Sequence, residues 1–481
     1  MEQILNFIGG EHRPAASGST LPVYDPATGS VYAQAPDSDA SDVEAAVAAA
    51  HCAAKDWGRT PADQRAALLH RLADAVERHS EELAQAESRD TGKPIASARS
   101  MDIPRAIANL RFYAAAATQF ASESHAMEIG AINYTLRQPL GVVACISPWN
   151  LPLYLLTWKI APALAAGNAV VAKPSEVTPM TAFLFSRLAE AVGLPAGVLN
   201  IVHGTGPGAG QTLVDHPDVK AISFTGGTAT GARIAASAAP RFRKLSLEMG
   251  GKNPTIVFDD CDFERTVAET VRAGFSNTGQ ICLCGSRVLV QRGIYERFRD
   301  ALVAAVAELT PGDPADDATR VGAIVNLAQR DKVLAAITEA RALGGTVLTG
   351  GEPVMVPGRC AQGWFIAPTV IEGLPADCAT NQEEIFGPVV TLLPFEDEAE
   401  AIALANSVRY GLAASIWTRD GARAHRVAAA VEAGLVWINC WMLRDLRVPM
   451  GGMKDSGVGR EGGFEAMRFF TEAKTVTVDH R

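Results

Sequence analysis

The 481-residue sequence has no excess of positive charge, and this absence limits the kinds of molecule that we expect it to bind. Its formal net charge is −10, from 53 acidic and 43 basic side chains. A general affinity for nucleic acids requires clustered lysine and arginine that displace counterions from the phosphates. We therefore expect no nucleic-acid partner, and any recognition of an anion must be local.

The sequence also lacks an uninterrupted apolar run of membrane-spanning length. Its most apolar stretch, residues 141–172, is broken by Pro148, Lys159 and Pro162, whereas a spanning helix needs about 20 consecutive apolar residues. No basic leader followed by an apolar core is visible at the N-terminus, so neither a secretory signal nor a transit peptide is indicated. We expect a cytoplasmic protein with no membrane partner.

Cysteine is scarce and scattered, with eight residues in the whole chain. This is unlike the dense disulfide framework of a small secreted protein, so we expect reduced thiols. Neither a C-x-x-C nor an H-x-x-x-H pair is present to supply the ligand spacing of a zinc site. We expect no metal.

The chain is longer than one hydrophobic core usually serves, which predicts two or three domains. Its first third is helical; Ser41 and Glu44 fit a capping box for one helix, and Thr60-Pro61 fits the start of the next. From about residue 140, short apolar runs such as "GVVACIS", "NAVVAKPS" and "AISFTGG" alternate with amphipathic segments, and a second such series begins at "PTIVF". This alternation is typical of doubly wound parallel sheets.

Two further segments, "GAINYTLRQPLGV" and the tail "KTVTVDHR", alternate like exposed strands. Isolated strands of this kind usually find a partner sheet, which predicts pairing and a role in association with another subunit.

The segment "GQICLCGSR" raises the first chemical question, because two cysteines lie one residue apart. A disulfide between them would be strained. Two alternatives remain: a pair of small buried hydrophobes, or a nucleophile beside a bystander. Gly279 and Gly285 would let the backbone approach a bound molecule, and the surrounding residues are polar, which favours a cysteine that faces a ligand.

Two other segments carry groups suited to catalysis. In "LSLEMGGKNP", Glu248 ends an apolar strand before two glycines, where doubly wound sheets hold their ligands; the alternative is an ordinary solvated glutamate. In "ISPWNLP", Asn150 must be paired if it is buried. Its amide either braces a loop or stabilises a developing oxyanion.

A nucleotide-binding signal is present but irregular. "FTGGTATGARIAASAA" turns on Gly226 and Gly227 and enters a helix whose first N–H groups could hold a phosphate, yet it is neither G-x-G-x-x-G nor a Walker loop. In "AKPSE", Lys173 and Glu176 lie just beyond a strand, where they would either hold ribose hydroxyls or form a surface ion pair.

Seven segments together are far more specific than any one of them. In chain order they read "SPWNLPL", "KPSE", "SFTGGTATG", "LEMGGKNP", "NTGQICLCGSR", "EEIFGPV" and "GGMKDSGVGREGG". This set resembles the NAD(P)-dependent aldehyde dehydrogenase superfamily, from near residue 20 to the C-terminus. The resemblance implies an α/β fold with two doubly wound, Rossmann-like domains built on open twisted sheets and a small β oligomerisation element. The implied parts are an NAD-binding domain (1–118 and 138–248), a catalytic domain (249–457) and an oligomerisation element (119–137 and 458–481).

The resemblance also assigns roles. The family's nucleophile lies two residues after the glutamine of its Gly-Gln pair, which makes Cys282 the nucleophile and Cys284 a bystander. Glu248 becomes the general base and Asn150 the oxyanion donor. The implied cofactor is NAD, since Glu176 would repel the 2′-phosphate of NADP. The residues implied to bind it are Ile146, Ser147, Pro148, Trp149, Lys173, Ser175, Glu176, Gly206, Phe224, Thr225, Gly226, Gly227, Leu247, Glu248, Glu384 and Phe386.

The substrate end of the sequence is distinctive. Arg105 in "DIPR" and Arg444 in "WMLRDLR" fall, by register with the family, where other members often carry apolar tunnel residues. Two arginines beside an apolar tunnel suggest a substrate with its own carboxylate; surface ion pairs with Asp102 and Asp445 are the alternative. The implied substrate-binding residues are Arg105, Asn150, Tyr154, Trp158 and Arg444.

Both arginine phrases resemble the muconic-semialdehyde branch of the family, which implies 2-hydroxymuconate or 2-aminomuconate semialdehyde as the aldehyde. A betaine-aldehyde or broad aliphatic aldehyde dehydrogenase, and a thiol esterase, remain alternatives. Met450 departs from the family pattern, which usually has Phe there, so the pocket shape is in question. A homodimer or homotetramer is expected.

Overall fold

The computed structural model describes all 481 residues. Its helices are α1 (Ala40–Arg59), α2 (Ala62–Arg78), α3 (Ser80–Thr91), α4 (Ile95–Ser97), α5 (Ile103–Gln119), α6 (Pro152–Ala165), α7 (Met180–Ala191), α8 (Gln211–Asp215), α9 (Thr228–Ala238), α10 (Phe263–Phe275), α11 (Tyr295–Ala307), α12 (Leu327–Ala342), α13 (Ala379–Gln382), α14 (Glu398–Asn406), α15 (Gly421–Ala430) and α16 (Gly463–Phe469). None of these helices combines the length and the apolar character that crossing a membrane requires.

The strands are short. They are β1 (Glu2–Gln3), β2 (Asn6–Ile8), β3 (Glu11–Arg13), β4 (Thr20–Asp25), β5 (Ser30–Pro36), β6 (Ser124–Met127), β7 (Ala131–Pro139), β8 (Val142–Ile146), β9 (Ala169–Lys173), β10 (Leu199–Ile201), β11 (Val219–Thr225), β12 (Lys244–Glu248), β13 (Pro254–Val257), β14 (Arg287–Gln291), β15 (Thr346–Thr349), β16 (Pro353–Val354), β17 (Phe365–Ile366), β18 (Thr369–Glu372), β19 (Val389–Phe395), β20 (Tyr410–Gly411), β21 (Ala413–Trp417), β22 (Leu435–Ile438), β23 (Met453–Lys454), β24 (Gly457–Val458) and β25 (Thr471–Asp479).

The first large sheet has eight strands in the order β24-β12-β11-β8-β9-β10-β2-β3. Its five central strands, β12 to β10 in that order, run parallel. Alternate residues of β8 enter different cores: Val143 and Cys145 pack with α2, α5 and α6, while Val142 and Ala144 pack with α1 and α9. Because both faces of the sheet are covered by helices, its strands are apolar throughout, as the sequence predicts.

The second large sheet has seven strands in the order β15-β18-β19-β14-β13-β21-β22, parallel except at β15. It repeats the same alternation, because Val257 and Ile256 on β13 enter separate cores. The strand β24 crosses from the second half of the chain into the first sheet, where it pairs antiparallel with β12. The two halves are therefore joined at the strand that carries Glu248.

A third sheet has the order β25-β7-β6. The tail strand β25 pairs with β7 antiparallel over nine residues, from Thr471 opposite Pro139 to Asp479 opposite Ala131. The two segments that the sequence predicts as strands without a local partner therefore pair with each other. The same sheet leaves Tyr134, Leu136 and Val478 exposed.

The predicted helix caps are wrong in register. Asp39 caps α1 and forms the reciprocal capping box with Asp42, whereas Ser41 lies in the first turn and bonds to the Asp39 carboxylate. Thr60 closes the C-terminus of α1, and no side chain caps α2. Asp39, two residues upstream of Ser41, is also a favoured N-cap residue, and its carboxylate accepts the hydrogen bonds from the free N–H groups of the first turn.

Candidate active site

Four parallel strands of the first sheet end at one edge, and each ends in a residue predicted for the site. Ile146 ends β8, Lys173 ends β9, Thr225 ends β11 and Glu248 ends β12. Strands β12, β11, β8 and β9 are consecutive neighbours. A crevice at the carboxyl ends of parallel strands is where doubly wound sheets bind ligands.

A groove of about 420 Å³ follows this edge. Its lining includes Ile146, Ser147, Pro148, Trp149, Lys173, Ser175, Glu176, Gly206, Phe224, Thr225, Gly226 and Gly227. A second cavity of about 170 Å³ contains Asn150, Cys282, Glu384 and Phe386. Both cavities are lined by Pro148, Trp149, Thr225, Gly226 and Gly227, so they form one continuous channel from Lys173 to Cys282.

An ion pair closes the outer end of the groove. Lys173 Nζ lies 2.9 Å from Glu176 Oε2, and the Gly206 N–H donates to Glu176 Oε1 at 3.4 Å. Burial opposes ionisation of Glu176, but the adjacent Lys173 ammonium lowers the pKa of this carboxyl below its usual value. Glu176 is thus an anion that faces the groove. Its ion pair with Lys173 forms part of the groove wall.

The inner end of the groove is built around Glu384. Its Oε1 accepts a hydrogen bond from the Gly251 N–H at 3.1 Å. A Cβ at Gly250 would lie 2.0 Å from the same carboxylate, which explains the two glycines after Glu248. Phe386 meets Trp149 edge-on, with ring centroids 5.2 Å apart.

The loop before Cys282 has an unusual backbone. Asn277, Thr278 and Gly279 all have positive φ, at 49°, 55° and 71°. A Cβ at Gly279 would lie 2.0 Å from the Gly387 carbonyl oxygen, so only glycine fits there. Such strain persists only where the surroundings fix the chain, and it clusters at functional sites.

The two cysteines lie in different environments. Cys282 lines the inner cavity, while Cys284 is buried in the cluster that contains Trp441. One side chain, Asn253, holds both main chains, because its Nδ2 donates to the carbonyl oxygens of Cys282 at 2.7 Å and Cys284 at 2.9 Å. The structure therefore places only Cys282 where a ligand could reach it.

Asn150 lies in the same cavity as Cys282. Its Nδ2 donates one hydrogen bond to the Gln280 carbonyl at 2.9 Å. An amide nitrogen carries two protons, so a second N–H remains for an oxygen atom in the cavity. Asn150 thus braces a loop, as one of the two interpretations has it, and it keeps one N–H that could meet an oxyanion; the oxyanion role stays a prediction.

Glu248 is buried, and neither of its carboxylate oxygens has a hydrogen-bond partner. Burial, and secondarily the charge of Glu461, raise its pKa well above the usual value. Glu461 itself pairs with Lys159 at 2.7 Å. A buried, unpaired carboxyl with a raised pKa is costly for stability and is characteristic of acid–base catalysis.

The predicted substrate residues other than Asn150 form a cluster of aromatic and cationic groups outside both cavities. Arg444 Nη1 donates to Tyr154 Oη at 2.8 Å, and the Arg444 guanidinium carbon lies 5.5 Å from the Trp158 ring centroid. The Arg105 guanidinium carbon lies 5.6 Å from the Tyr154 ring centroid. Met450, the departure from the family pattern, places its sulfur 2.6 Å from Arg444 Nη2.

Neither Arg105 nor Arg444 forms an ion pair. The two aspartates expected as their alternative partners form ion pairs with other residues. Asp102 pairs with Lys93 at 2.9 Å, and Asp445 pairs with Arg447 at 2.6 Å. The alternative of two ordinary surface pairs is therefore wrong. Two partly buried guanidinium groups are left outside any ion pair. Asp445, which pairs with Arg447, is near enough to Arg105 for that cation to contribute to its lowered pKa. Arg444 is the one of the two that acts on Cys282.

Comparison with known proteins decides the family. The model of the aldehyde dehydrogenase family matches residues 12–476. This chain belongs to the aldehyde dehydrogenase family. The predicted family and fold are both confirmed, and the α/β architecture with two large sheets is that of solved aldehyde dehydrogenases.

The named relatives of this aldehyde dehydrogenase align with nearly its whole chain. The chain is 50% identical to the 2-aminomuconic semialdehyde dehydrogenase of Bos taurus, over 99% of this chain and 98% of the relative. It is 46% identical to the 2-hydroxymuconic semialdehyde dehydrogenase of Pseudomonas sp. (strain CF600), over 99% and 100%. An NAD⁺ complex of an aldehyde dehydrogenase from Bacillus cereus superposes with a TM-score of 0.97 at 40% identity, covering 100% of this chain and 97% of that one.

Two residues of the channel have no sequence signal. Gln329 and Lys332 on α12 line the cavity of Cys282. Gln329 Nε2 donates to the Phe386 carbonyl at 2.9 Å and thereby supports the positive φ of Phe386, 59°. Leu247 and Glu248, in contrast, line neither cavity, and the Leu247 side chain is buried in the core. Their assignment to the cofactor site stays a prediction.

The state of the Cys282 thiol gives a pH prediction for this aldehyde dehydrogenase. Burial, and secondarily Glu384, raise the pKa of Cys282 to about 12, while Arg444 opposes the rise. The reactive thiolate is thus the minor form at neutral pH, and its fraction grows close to tenfold per pH unit below the pKa. We expect alkylation of Cys282 by iodoacetamide, followed by peptide mass spectrometry, to accelerate by about tenfold per pH unit from pH 6 to pH 9, or about 1,000-fold in all.

Arg444→Ala should slow this alkylation further at every pH, because it removes the cation that favours the thiolate. An alkylation rate that levels off below about pH 8 would contradict the raised pKa.

Proposed function

We propose that this aldehyde dehydrogenase oxidises a semialdehyde that carries its own carboxylate, with NAD as the cofactor. The observation that carries the proposal is the pair Arg105 and Arg444, which form no ion pair and lie against Tyr154 and Trp158. Guanidinium groups bind carboxylates through paired, charge-assisted hydrogen bonds. The names of the relatives, 2-aminomuconic and 2-hydroxymuconic semialdehyde dehydrogenase, support the same class of substrate.

The channel fits NAD by its chemistry. Lys173 and Glu176 would hold the hydroxyls of the adenosine ribose, and the N-terminus of α9 at Gly227 would face the pyrophosphate. A Cβ at Gly206 or Gly227 would meet no atom within 4 Å, so both glycines leave open space beside the groove. Glu384 and Phe386 would bound the nicotinamide end. Solved neighbours described as NAD⁺ complexes support this assignment.

The first chemical step belongs to Cys282. Its thiolate adds to the aldehyde carbon, and the carbonyl π electrons move to oxygen. The free N–H of Asn150 donates to that oxyanion, in a cavity where water cannot screen the charge. The Arg444 cation favours the thiolate form of Cys282.

The second step releases the acid. NAD, when bound, would supply the hydride acceptor for the tetrahedral carbon, and loss of that hydride would leave a thioester on Cys282. Glu248 takes a proton from a water molecule as the water oxygen attacks the thioester carbon. The C–S bond then breaks, the carboxylic acid leaves, the Cys282 thiolate is released, and Glu248 gives its proton to solvent. The absence of any hydrogen-bond partner leaves both Glu248 oxygens available for that water.

A substrate panel tests the proposal. Purified protein with NAD is assayed by NADH absorbance near 340 nm against muconic semialdehydes, betaine aldehyde and neutral aliphatic aldehydes. We expect kcat/KM to be highest for an acidic semialdehyde, by at least about 10-fold, the value of one charge-assisted contact. A preference for betaine aldehyde or for a neutral aldehyde would refute the acidic substrate. Ester hydrolysis without NADH formation would favour a thiol esterase.

The groove also predicts cofactor preference. Because Glu176 is an anion at the ribose end, the 2′-phosphate of NADP meets repulsion, and kcat/KM should be clearly higher with NAD. Glu176→Gln, which keeps the size and loses the charge, should raise the NADP-to-NAD ratio of kcat/KM by about 10-fold. Equal efficiency with both cofactors in the unmodified enzyme would contradict the role of Glu176.

The functions that we assign to the parts of the chain follow the three sheets. We assign NAD binding to residues 1–118 and 138–248 and catalysis to 249–457. We assign subunit contact to 119–137 and 458–481. The exposed apolar residues of the β25-β7-β6 sheet support the last assignment. A homodimer or homotetramer in the cytoplasm is the proposed form, and the mass in solution by light scattering tests the assembly.

A further inference from the structure

A buried charged trio lies beneath the active site, outside the channel. It consists of Glu87 on α3, Lys93 just after α3, and Asp102 just before α5, and all three side chains are 0% exposed. Lys93 Nζ lies 2.9 Å from Asp102 Oδ2 and 4.0 Å from Glu87 Oε1. Burying charge is expensive even when it is paired, so such a trio needs a reason beyond stability.

The contacts of the trio lead directly to the catalytic groups. Lys93 Nζ donates to the main-chain carbonyl of Asn150 at 3.1 Å. The same carbonyl accepts from Asn277 Nδ2, also at 3.1 Å, so the Asn150 main chain is held between Lys93 and the loop of the nucleophile. Two donors on one carbonyl fix the position of the residue whose amide faces the cavity.

The two carboxyls of the trio connect to the starts of two helices that carry predicted substrate residues. Glu87 accepts hydrogen bonds from the Leu153 N–H in the first turn of α6, which carries Tyr154 and Trp158. Asp102 directly precedes α5, which carries Arg105. Lys93 therefore joins three parts: the Asn150 loop, the start of α6 through Glu87, and the start of α5.

We infer that Lys93 is a positioning residue, whose ammonium fixes the Asn150 amide relative to Cys282 and to the helix that carries Arg105. The inference rests on the oxyanion role proposed for Asn150. Catalytic geometry tolerates little displacement, and a shift of about 1 Å can cost a factor of 100 in rate. Loss of Lys93 should therefore reduce kcat for every aldehyde, because each aldehyde uses the same oxyanion donor.

The test removes the cation without leaving its partner ionised. Lys93→Met combined with Asp102→Asn replaces the ion pair by neutral groups of similar size. We expect kcat with a neutral aldehyde to fall by at least about 10-fold, while the dissociation constant of NAD, measured by fluorescence titration, changes by less than about twofold. For an acidic semialdehyde KM should also rise, since α5 loses its tie to Lys93.

Two further variants complete the design. Asn168→Ala is the matched control, because Asn168 bonds four main-chain groups around the C-terminal end of α6, at Leu140, Gly141, Ala163 and Phe470, and none at Asn150. It should lower the melting temperature and leave kcat within about twofold. Asn150→Ala, assayed in parallel, should lose about 100-fold in kcat, as oxyanion donors do.

The outcomes are separable. If Asn150→Ala loses activity but the double variant keeps kcat within about twofold, Lys93 has no positioning role. If Asn150→Ala itself keeps its kcat, the proposed oxyanion role fails and the inference fails with it. Should the double variant not fold, Lys93→Gln decides, because its amide is one bond shorter than the lysine ammonium and falls short of Asn150; an unchanged kcat there would overturn the inference.

Discussion

Cys282→Ser will abolish aldehyde-dependent NADH formation, with kcat reduced by at least about 1,000-fold. Serine has nearly the size of cysteine, and Cys282 lies in a cavity, so the substitution should leave the fold and the channel intact. What is lost is the nucleophile, because a serine hydroxyl is far less acidic and less nucleophilic than a cysteine thiol. The measurement is NADH formation near 340 nm under saturating NAD and aldehyde.

Cys284→Ser is the matched control for this experiment. Cys284 lies two residues away in the same segment but is buried against Trp441 and Leu283, with no access to the channel. We expect kcat within about threefold of the unmodified enzyme and a small loss of stability from burying a hydroxyl. A titration with NAD would show that both variants keep the cofactor site. Undiminished NADH formation by Cys282→Ser would refute the thioester mechanism as a whole.

The sequence predicts those parts of the fold that local chemistry determines. Apolar runs such as "GVVACI" are covered on both faces in the structure, and so periodicity alone identifies them as central parallel strands. The strand ends at Lys173 and Glu248 then locate the ligand-binding edge. The glycines after Glu248 are explained only by three-dimensional contacts, since Gly250 makes room for Glu384, more than 130 residues away in sequence.

Other parts of the site have no local signal. Gln329 and Lys332 lie on an ordinary amphipathic helix, and Lys93 follows a helix of the first third, so nothing in their neighbours marks them. They reach the site only because the second sheet and α3 pack against the channel. Arg105 and Arg444 are intermediate cases, because the residue type was visible in the sequence while the absence of ion-pair partners required the structure.

The two arginines carry the second large prediction. Arg105→Ala combined with Arg444→Ala should lower kcat/KM for an acidic semialdehyde by about 100-fold to 1,000-fold. A charge-assisted hydrogen bond to a carboxylate contributes about 1.5 to 3 kcal/mol, so two of them near the lower limit, about 3 to 4 kcal/mol together, account for that range. Arg444→Ala alone should raise KM for the acidic substrate by about 10-fold or more. Steady-state kinetics with an acidic and a neutral aldehyde of similar length provide the measurement.

Charge and shape must be separated in this experiment, because Arg444 also contacts Tyr154 and lies over the Trp158 ring. Arg444→Lys keeps the charge but loses the paired donors, so it should recover only part of the loss with the acidic substrate. Arg111→Ala is the matched control, since Arg111 lies on α5 with Arg105 but pairs with Asp74 and Glu77 at the surface. Arg111→Ala should leave kcat/KM unchanged for both the acidic and the neutral aldehyde. An equal loss for the acidic and the neutral aldehyde in the Arg105 and Arg444 double variant would mean that the arginines only shape the tunnel or favour the Cys282 thiolate, and the proposed carboxylate subsite would then be wrong.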